Sequence, residues 1–205
     1  MKITWIGHAC FKLESSGFSI IIDPYQDNYV PGYEPVRESA NLVLCSHQHN
    51  DHNAVETIIL ESAFHHPFDI TVLHTYHDDK QGMVRGENKI HIFDDGNVRV
   101  AHFGDIGCML TPEQKDVLKD LDAVMIPIGG TYTISPKQAK EIVEQIEPGI
   151  VIPMHYKSQN FGFDVLETVE EYIKHSDKVL VYNECSLEIT GDSLKQTIIL
   201  KPQNS

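Results

Sequence analysis

The sequence predicts an α+β sandwich: two mixed sheets packed face to face, with helices outside. Three observations carry this reading. The first half of the chain is mainly apolar strands separated by turn residues, including Ser15-Ser16-Gly17 and Asp94-Asp95-Gly96. The second half alternates strands with helices whose starts are marked by Thr111-Pro112 and Ser135-Pro136. The chain's 205 residues are 41% hydrophobic and 22% charged, which suits one domain with a sizeable core. Residues 1–205 are read as a single domain, without linker or low-complexity segment.

Taken in order, residues 2–13 alternate as a strand with Gly7 at a bulge. Phe18 to Ile22 is a second strand ending at Asp23 and forming a hairpin with the first. Residues 25–39, rich in Tyr, Pro, Gly and charge, read as a loop that could rim a pocket. The run from Ala40 to Cys45 reads as a buried strand, followed by a helix from Ala54 to Ala63. Asp69 to Tyr76, Lys89 to Phe93 and Asn97 to Phe103 are strands, the last two joined by a strong Asp-Gly hairpin turn. Thr111 and Ser135 cap helices reaching Leu121 and Ile146, each with Pro at the first helical position. Asp122–Ile128 and Gly149–Met154 are buried strands. A helix from Val165 to His175 and strands at Val179–Tyr182 and Thr197–Leu200 complete the chain.

The formal net charge is −14, a field that repels phosphate backbones and anionic lipid. Nucleic acid and membrane surfaces are therefore disfavoured, and a small-molecule substrate is the expected partner. A homo-oligomer is compatible with the sequence, though no stripe specifies an interface. Cys10, Cys45, Cys108 and Cys185 lie widely spaced in or beside apolar runs, which suits free thiols in a reducing compartment. The N-terminus lacks a signal-peptide pattern, and no apolar run is long enough to span a bilayer, so a cytoplasmic location is expected.

The chemistry gathers at Cys45-Ser46-His47-Gln48-His49-Asn50-Asp51-His52-Asn53, directly after an apolar run. His47 and His49 are two apart, so an extended chain points both imidazoles to one side. Asp51 and His52 follow where the chain turns and can face a second ion or a water between the two. Imidazole and carboxylate together suit zinc, iron or manganese. His77, Asp105 and His155 each follow an apolar strand, where sites are commonly built. The expected set is His47, His49 and His77 for one ion, Asp51, His52 and His155 for the other, and Asp105 bridging. His102 is preferred as a hydrogen-bonding neighbour of the site, and Asp23 is either an orienting partner of a ligand histidine or a turn residue before Pro24. His8 could line the site or simply pack. His65, His66, His91 and His175 read as surface or core.

His-x-His-x-Asp-His after a strand resembles the signature of the metallo-β-lactamase superfamily of metal-dependent hydrolases. The likeness extends to Trp5-Ile6-Gly7-His8-Ala9-Cys10-Phe11, Ile22-Asp23-Pro24, His77-Asp78-Asp79 with Arg85-Gly86-Glu87-Asn88, His102-Phe103-Gly104-Asp105-Ile106-Gly107, Pro127 to Thr133 and Ile152-Pro153-Met154-His155-Tyr156. Together these look like its short, single-domain branch, similar to lactonase-like and phosphodiesterase-like relatives. The resemblance implies a four-layer αββα sandwich with a dinuclear site on one edge. It assigns the same seven ligands and favours His77 over His74, which spacing leaves open.

It further implies two divalent ions, with zinc foremost and manganese or iron as alternatives, and hydrolysis of an ester, lactone or phosphodiester by a metal-bridging hydroxide. Asp51 and Tyr132 are the candidate catalytic residues. Asp51 would orient the hydroxide, and Tyr132 would be an oxyanion donor or pocket wall, with simple packing as the competing reading. Arg85 and Lys157 are candidates for holding an anionic group, or plain surface cations. An iron-binding redox protein and a non-enzymatic metal-binding domain are the alternatives.

Overall fold

The computed structural model describes residues 1–63, 65–176, 178–191 and 195–205. Its strands are β1 (Lys2–Gly7), β2 (Cys10–Ser15), β3 (Phe18–Ile22), β4 (Ser39–Ala40), β5 (Leu42–Leu44), β6 (Ile59–Leu60), β7 (Asp69–Tyr76), β8 (Glu87–Asp94), β9 (Arg99–His102), β10 (Ala123–Pro127), β11 (Ile150–Met154), β12 (Val179–Val181), β13 (Ser186–Glu188) and β14 (Gln196–Ile199). The α-helices are α1 (Pro112–Val117), α2 (Pro136–Ile146) and α3 (Val169–Ile173). A five-stranded sheet runs β13-β1-β2-β3-β5 and a seven-stranded sheet runs β12-β14-β11-β10-β9-β8-β7. Both are mixed: β3–β5 is parallel beside the antiparallel β1-β2-β3, and β9-β10-β11 is parallel beside the antiparallel β7-β8-β9.

The alternation of β1 and β3 decides what lies between the sheets. Ile3, Trp5, Ile20 and Ile22 enter the main core with Phe93, Val100, Phe103 and Met125 from the other sheet. Ile6 and Ile21, one position out of phase, face the opposite way and pack with Tyr25, Val30, Tyr33 and Val36. The strand order β9, β10, β11, β14 advances steadily across the sheet, so right-handed crossovers place α1, α2 and α3 on one outer face. Helix α2 buries Pro136, Ala139, Ile142 and Ile146 there. The layer over the five-stranded sheet is coil and a 3-10 turn at Val55–Thr57 instead of α-helix. No helix among the described residues is long and apolar enough to cross a membrane.

Several expected elements differ. Residues 2–13 are two strands, because the chain reverses at His8 and Ala9. The expected helix from Ala54 to Ala63 is absent. Val55, Thr57, Ile58 and Ile59 are β-branched, Ala54 offers no side-chain cap, and Ile59 N–H and Glu61 N–H bond Glu38 and Ala40 carbonyls instead. Helix α1 stops at Val117, where the Arg99 guanidinium takes the Val117 and Lys119 carbonyls at 2.7 and 2.6 Å. Helix α3 starts only at Val169, since residues 164–166 form a turn with Leu166 N–H on Phe163 O at 3.0 Å, and Glu167 N–H then bonds Gly129 O at 2.8 Å. Strand β5 is half-buried, as befits an edge strand. Strand β13, unexpected from the sequence, borders β1. Strands β7, β10 and β11 and helix α2 fall where their patterns placed them, within a residue or two.

Candidate metal centre

Pairing sends the C-terminal ends of β1, β3 and β5 to one edge of the first sheet, and those of β7, β9 and β11 to one edge of the second. His8, Asp23, the 46–53 loop, His77, Asp105 and His155 all lie just past these ends. His47, His49 and His77 each offer a ring nitrogen within 4.8 Å of one another, and His8, Asp51, His52 and His155 form a second such group. Asp105 joins them: its Oδ2 lies 3.3 Å from His77 Nε2, 3.2 Å from His52 Nε2 and 3.0 Å from His155 Nε2. The seven expected ligand positions are thus brought together. His74 is exposed on β7 and takes no part.

Asp23 organises the buried side. It is fully buried and accepts from Ser46 N–H and Ser46 Oγ–H, both at 2.6 Å. The single Ser46 hydroxyl proton is used on Asp23, so the 2.9 Å contact between Ser46 Oγ and His47 Nδ1 has the imidazole donating. His52 Nδ1 also donates to Asp23, at 2.9 Å. This bonding assigns the Nδ1–H tautomer to both rings and leaves their Nε2 lone pairs toward the cluster. The orienting role considered for Asp23 is the one its contacts fit. His102 is spent elsewhere: Nε2 donates to Ala9 O at 2.8 Å and Nδ1 accepts Gly104 N–H at 3.1 Å.

The glycines flanking Asp105 have steric reasons. Gly104 sits at φ +53°, and a Cβ there would come 2.3 Å from Asn88 Oδ1 and 2.4 Å from Ser46 Cβ. A Cβ on Gly107 would meet the His77 carbonyl at 2.4 Å. Asn88 is buried, donates to Phe103 O and Thr75 Oγ1, and accepts Asp105 N–H at 2.9 Å, fixing the carboxylate's backbone.

His8 is the participant that the sequence left undecided. It is fully buried at φ +53°, its Nε2 is 3.3 Å from Asp51 Oδ2, and its ring centroid is 4.1 Å from that of His155. Its carbonyl accepts Trp5 Nε1–H at 3.0 Å and His155 N–H at 3.2 Å. The available signal was its place two residues before Cys10, in the reversal between two apolar strands.

These residues fit metal ions. Among the buried atoms without a hydrogen-bond partner are His47 Nε2, His52 Nε2, His155 Nε2 and Asp105 Oδ1. The ring nitrogens around Asp105 Oδ2 are close, yet two of them are not hydrogen-bonded. Ligands about 2.1 Å from a tetrahedral ion lie about 3.4 Å from one another, close to the spacing seen. Burial and the neighbouring His52 push the His47 imidazole down to about 3, keeping it neutral with a free lone pair. Burial alone would raise Asp105, but His155 and His52 outweigh it and hold the carboxyl well below its ordinary value. The carboxyls of Asp23, Asp51 and Asp105 are all held below their ordinary values. Although burial opposes it, Asp105, Asp51 and Asp23 push the buried His52 imidazole well above its own. So much negative charge converging on ring nitrogens favours a cation at their centre.

The cleft above the cluster encloses about 450 Å³ and is lined by Tyr29, His49, Asp51, His77, Arg85, Asp105, Tyr132 and Phe163, among others. Tyr132 is 37% exposed on its wall, with the Arg85 guanidinium 5.5 Å from its ring centroid. Lys157 lies elsewhere, its ammonium on the Asp164 carbonyl. His65, His66 and His175 are exposed, and His91 is buried in β8. The cysteines are free thiols.

The family described as beta-lactamase superfamily domain matches residues 2–155. A UPF0173 protein of Pyrococcus abyssi is 31% identical over 193 residues, covering 79% of this chain and 86% of its own. A UPF0173 metal-dependent hydrolase of Methanopyrus kandleri is 29% identical over 193 residues, covering 76% and 84%. Among solved structures, a Thermotoga maritima protein, described as a candidate Zn-dependent hydrolase of the metallo-β-lactamase superfamily, aligns with a TM-score of 0.78. It is 32% identical, over 98% of this chain and 99% of that one.

Proposed function

The chain belongs to the metallo-β-lactamase superfamily, and on that premise we propose that it is a metal-dependent hydrolase of a small ester, lactone or phosphodiester. His47, His49 and His77 would hold one divalent cation, and Asp51, His52 and His155 a second, with Asp105 between them. Zinc is the first expectation for this nitrogen-rich set, with manganese and iron as alternatives. When bound, the cations polarise a carbonyl or phosphoryl oxygen and lower the pKa of a water.

The chain's own residues do the rest. Asp23 fixes the tautomers of His47 and His52, so the cluster is pre-organised. Asp51, with one oxygen against His8 Nε2, orients the attacking water from the cleft side. That water's oxygen bonds to the acyl carbon or phosphorus. The bond to the leaving oxygen breaks, and that oxygen takes up one proton. Tyr132 forms a wall of the cleft beside the reacting group.

The observation that carries this reading is Asp105 Oδ2, which lies within reach of ring nitrogens from both histidine groups. The test is turnover of bis-p-nitrophenyl phosphate, lactones and thioesters by protein purified without added metal, before and after chelation. Turnover of any member that chelation abolishes and metal restores is expected. Inactivity across the panel, or bound iron without hydrolysis, would overturn the reading.

A further inference from the structure

Arg85 stands out among the three arginines of a chain with net charge −14. Arg37 pairs with Asp27, and Arg99 is held by two backbone carbonyls. The Arg85 guanidinium has no carboxylate or carbonyl partner among the described residues; only its backbone N–H is bonded, to Asp78. It is half-buried, lies over the Tyr132 ring, and lines the same cleft as His49, Asp51, His77 and Asp105. In so acidic a chain, nearby carboxylates could readily have neutralised it.

The segment that carries it is fixed. Asp78 is buried and its carboxylate accepts four backbone N–H groups: Lys80 at 2.8 Å, Gly82 at 3.0 Å, Val84 at 3.0 Å and Arg85 at 2.7 Å. Gly86 O accepts His77 N–H at 3.0 Å, tying the segment's end to the cluster. The guanidinium is therefore presented on a braced loop, and the Tyr132 face limits its directions without using its donors. Tyr29 and Phe163 supply apolar surface in the same cleft.

We infer that Arg85 is the specificity residue of this cleft, and that the substrate carries a carboxylate or phosphate beside the bond to be cleaved. Its forked N–H donors bind such an oxyanion bidentately while the scissile group faces the histidines. The inference rests on the hydrolase reading and narrows its substrate class to anions.

The test uses the protein as purified with its metal. Benzoate and neutral benzamide are titrated calorimetrically into the wild type, R85M and R85K, and p-nitrophenyl butyrate is compared with its analogue bearing a terminal carboxylate. Benzoate should bind the wild type more tightly than benzamide, and R85M should lose at least about tenfold of that preference, with R85K intermediate. The ratio of kcat/KM for the carboxylate ester over the neutral ester should fall about tenfold in R85M, through KM.

Benzoate binding equal in the wild type and R85M, alongside wild-type ester hydrolysis, would overturn the anion subsite and leave the hydrolase reading intact. Arg85-dependent benzoate binding without hydrolysis of any ester would overturn the hydrolase reading while leaving the subsite standing.

Discussion

Asp23 Oδ2 lies 2.9 Å from His52 Nδ1, and the same carboxylate oxygen receives the Ser46 hydroxyl that contacts His47 Nδ1. One buried carboxylate therefore contacts, directly or through Ser46, the Nδ1 of two imidazoles assigned to different candidate ligand groups. In D23N, an amide nitrogen in place of Oδ2 would face two of the three donors, Ser46 Oγ–H and His52 Nδ1–H, and His52 could no longer hold its proton on Nδ1. Metal affinity should fall about 10- to 100-fold with the fold retained. D23A strands Ser46 N, Ser46 Oγ and His52 Nδ1 and should also cost about 3 kcal/mol of stability. Competition titration with a chromophoric chelator and urea denaturation measure the two effects.

His8 belongs to the second group of potential ligands, and its Nε2 lies 3.3 Å from Asp51 Oδ2; it is expected to work through Asp51 and not as a ligand. H8N can adopt the same positive φ but loses the contact with Asp51 Oδ2. Metal content should stay at the wild-type value while kcat drops about tenfold or more. Elemental analysis beside steady-state kinetics separates the outcomes: metal loss matching the activity loss would make His8 a ligand instead.

The Asp78 carboxylate holds the 78–86 loop through four N–H groups. D78A leaves those donors to water. Limited proteolysis near Met83, which is 81% exposed, should speed up by about tenfold or more. An unchanged cleavage rate would show that the loop is held by other contacts.

Asp95 bridges the sheets by accepting Ser15 Oγ–H at 2.7 Å. Partial burial pushes its carboxyl up, but Ser15 and the Asn97 and Val98 N–H groups outweigh this and lower it. A depressed carboxyl stabilises the fold above its unfolded pKa of about 4, and that contribution is lost as pH falls through the folded value. D95N should therefore be less stable than the wild type at pH 7, and the gap should shrink in acid. Denaturation of both proteins across that range checks the sign.

Much of this molecule was legible in its sequence. Thr111 and Ser135 announced α1 and α2 because Pro after a capping hydroxyl has few other uses, and both side chains cap as expected. Strand ends at His77, Asp105 and His155 lie on one edge because β7, β9 and β11 run in the same direction, β7 through the antiparallel β8 and β11 through the parallel β10. What escaped depended on distant pairing. Ile59 is strand and not helix because residues 38–40 lie beside it, and Ser186–Glu188 is a strand because β1 offers an edge. His8 was ambiguous because its value comes from Asp51, 43 positions away.

The most direct test of the central claim is elemental analysis of protein purified without metal supplementation, wild type beside a variant with His47 and His49 both replaced by alanine. About two divalent ions per wild-type chain are expected, and about one ion fewer in the variant. No tightly held metal in the wild type, or the same stoichiometry in both proteins, would contradict the two-group assignment.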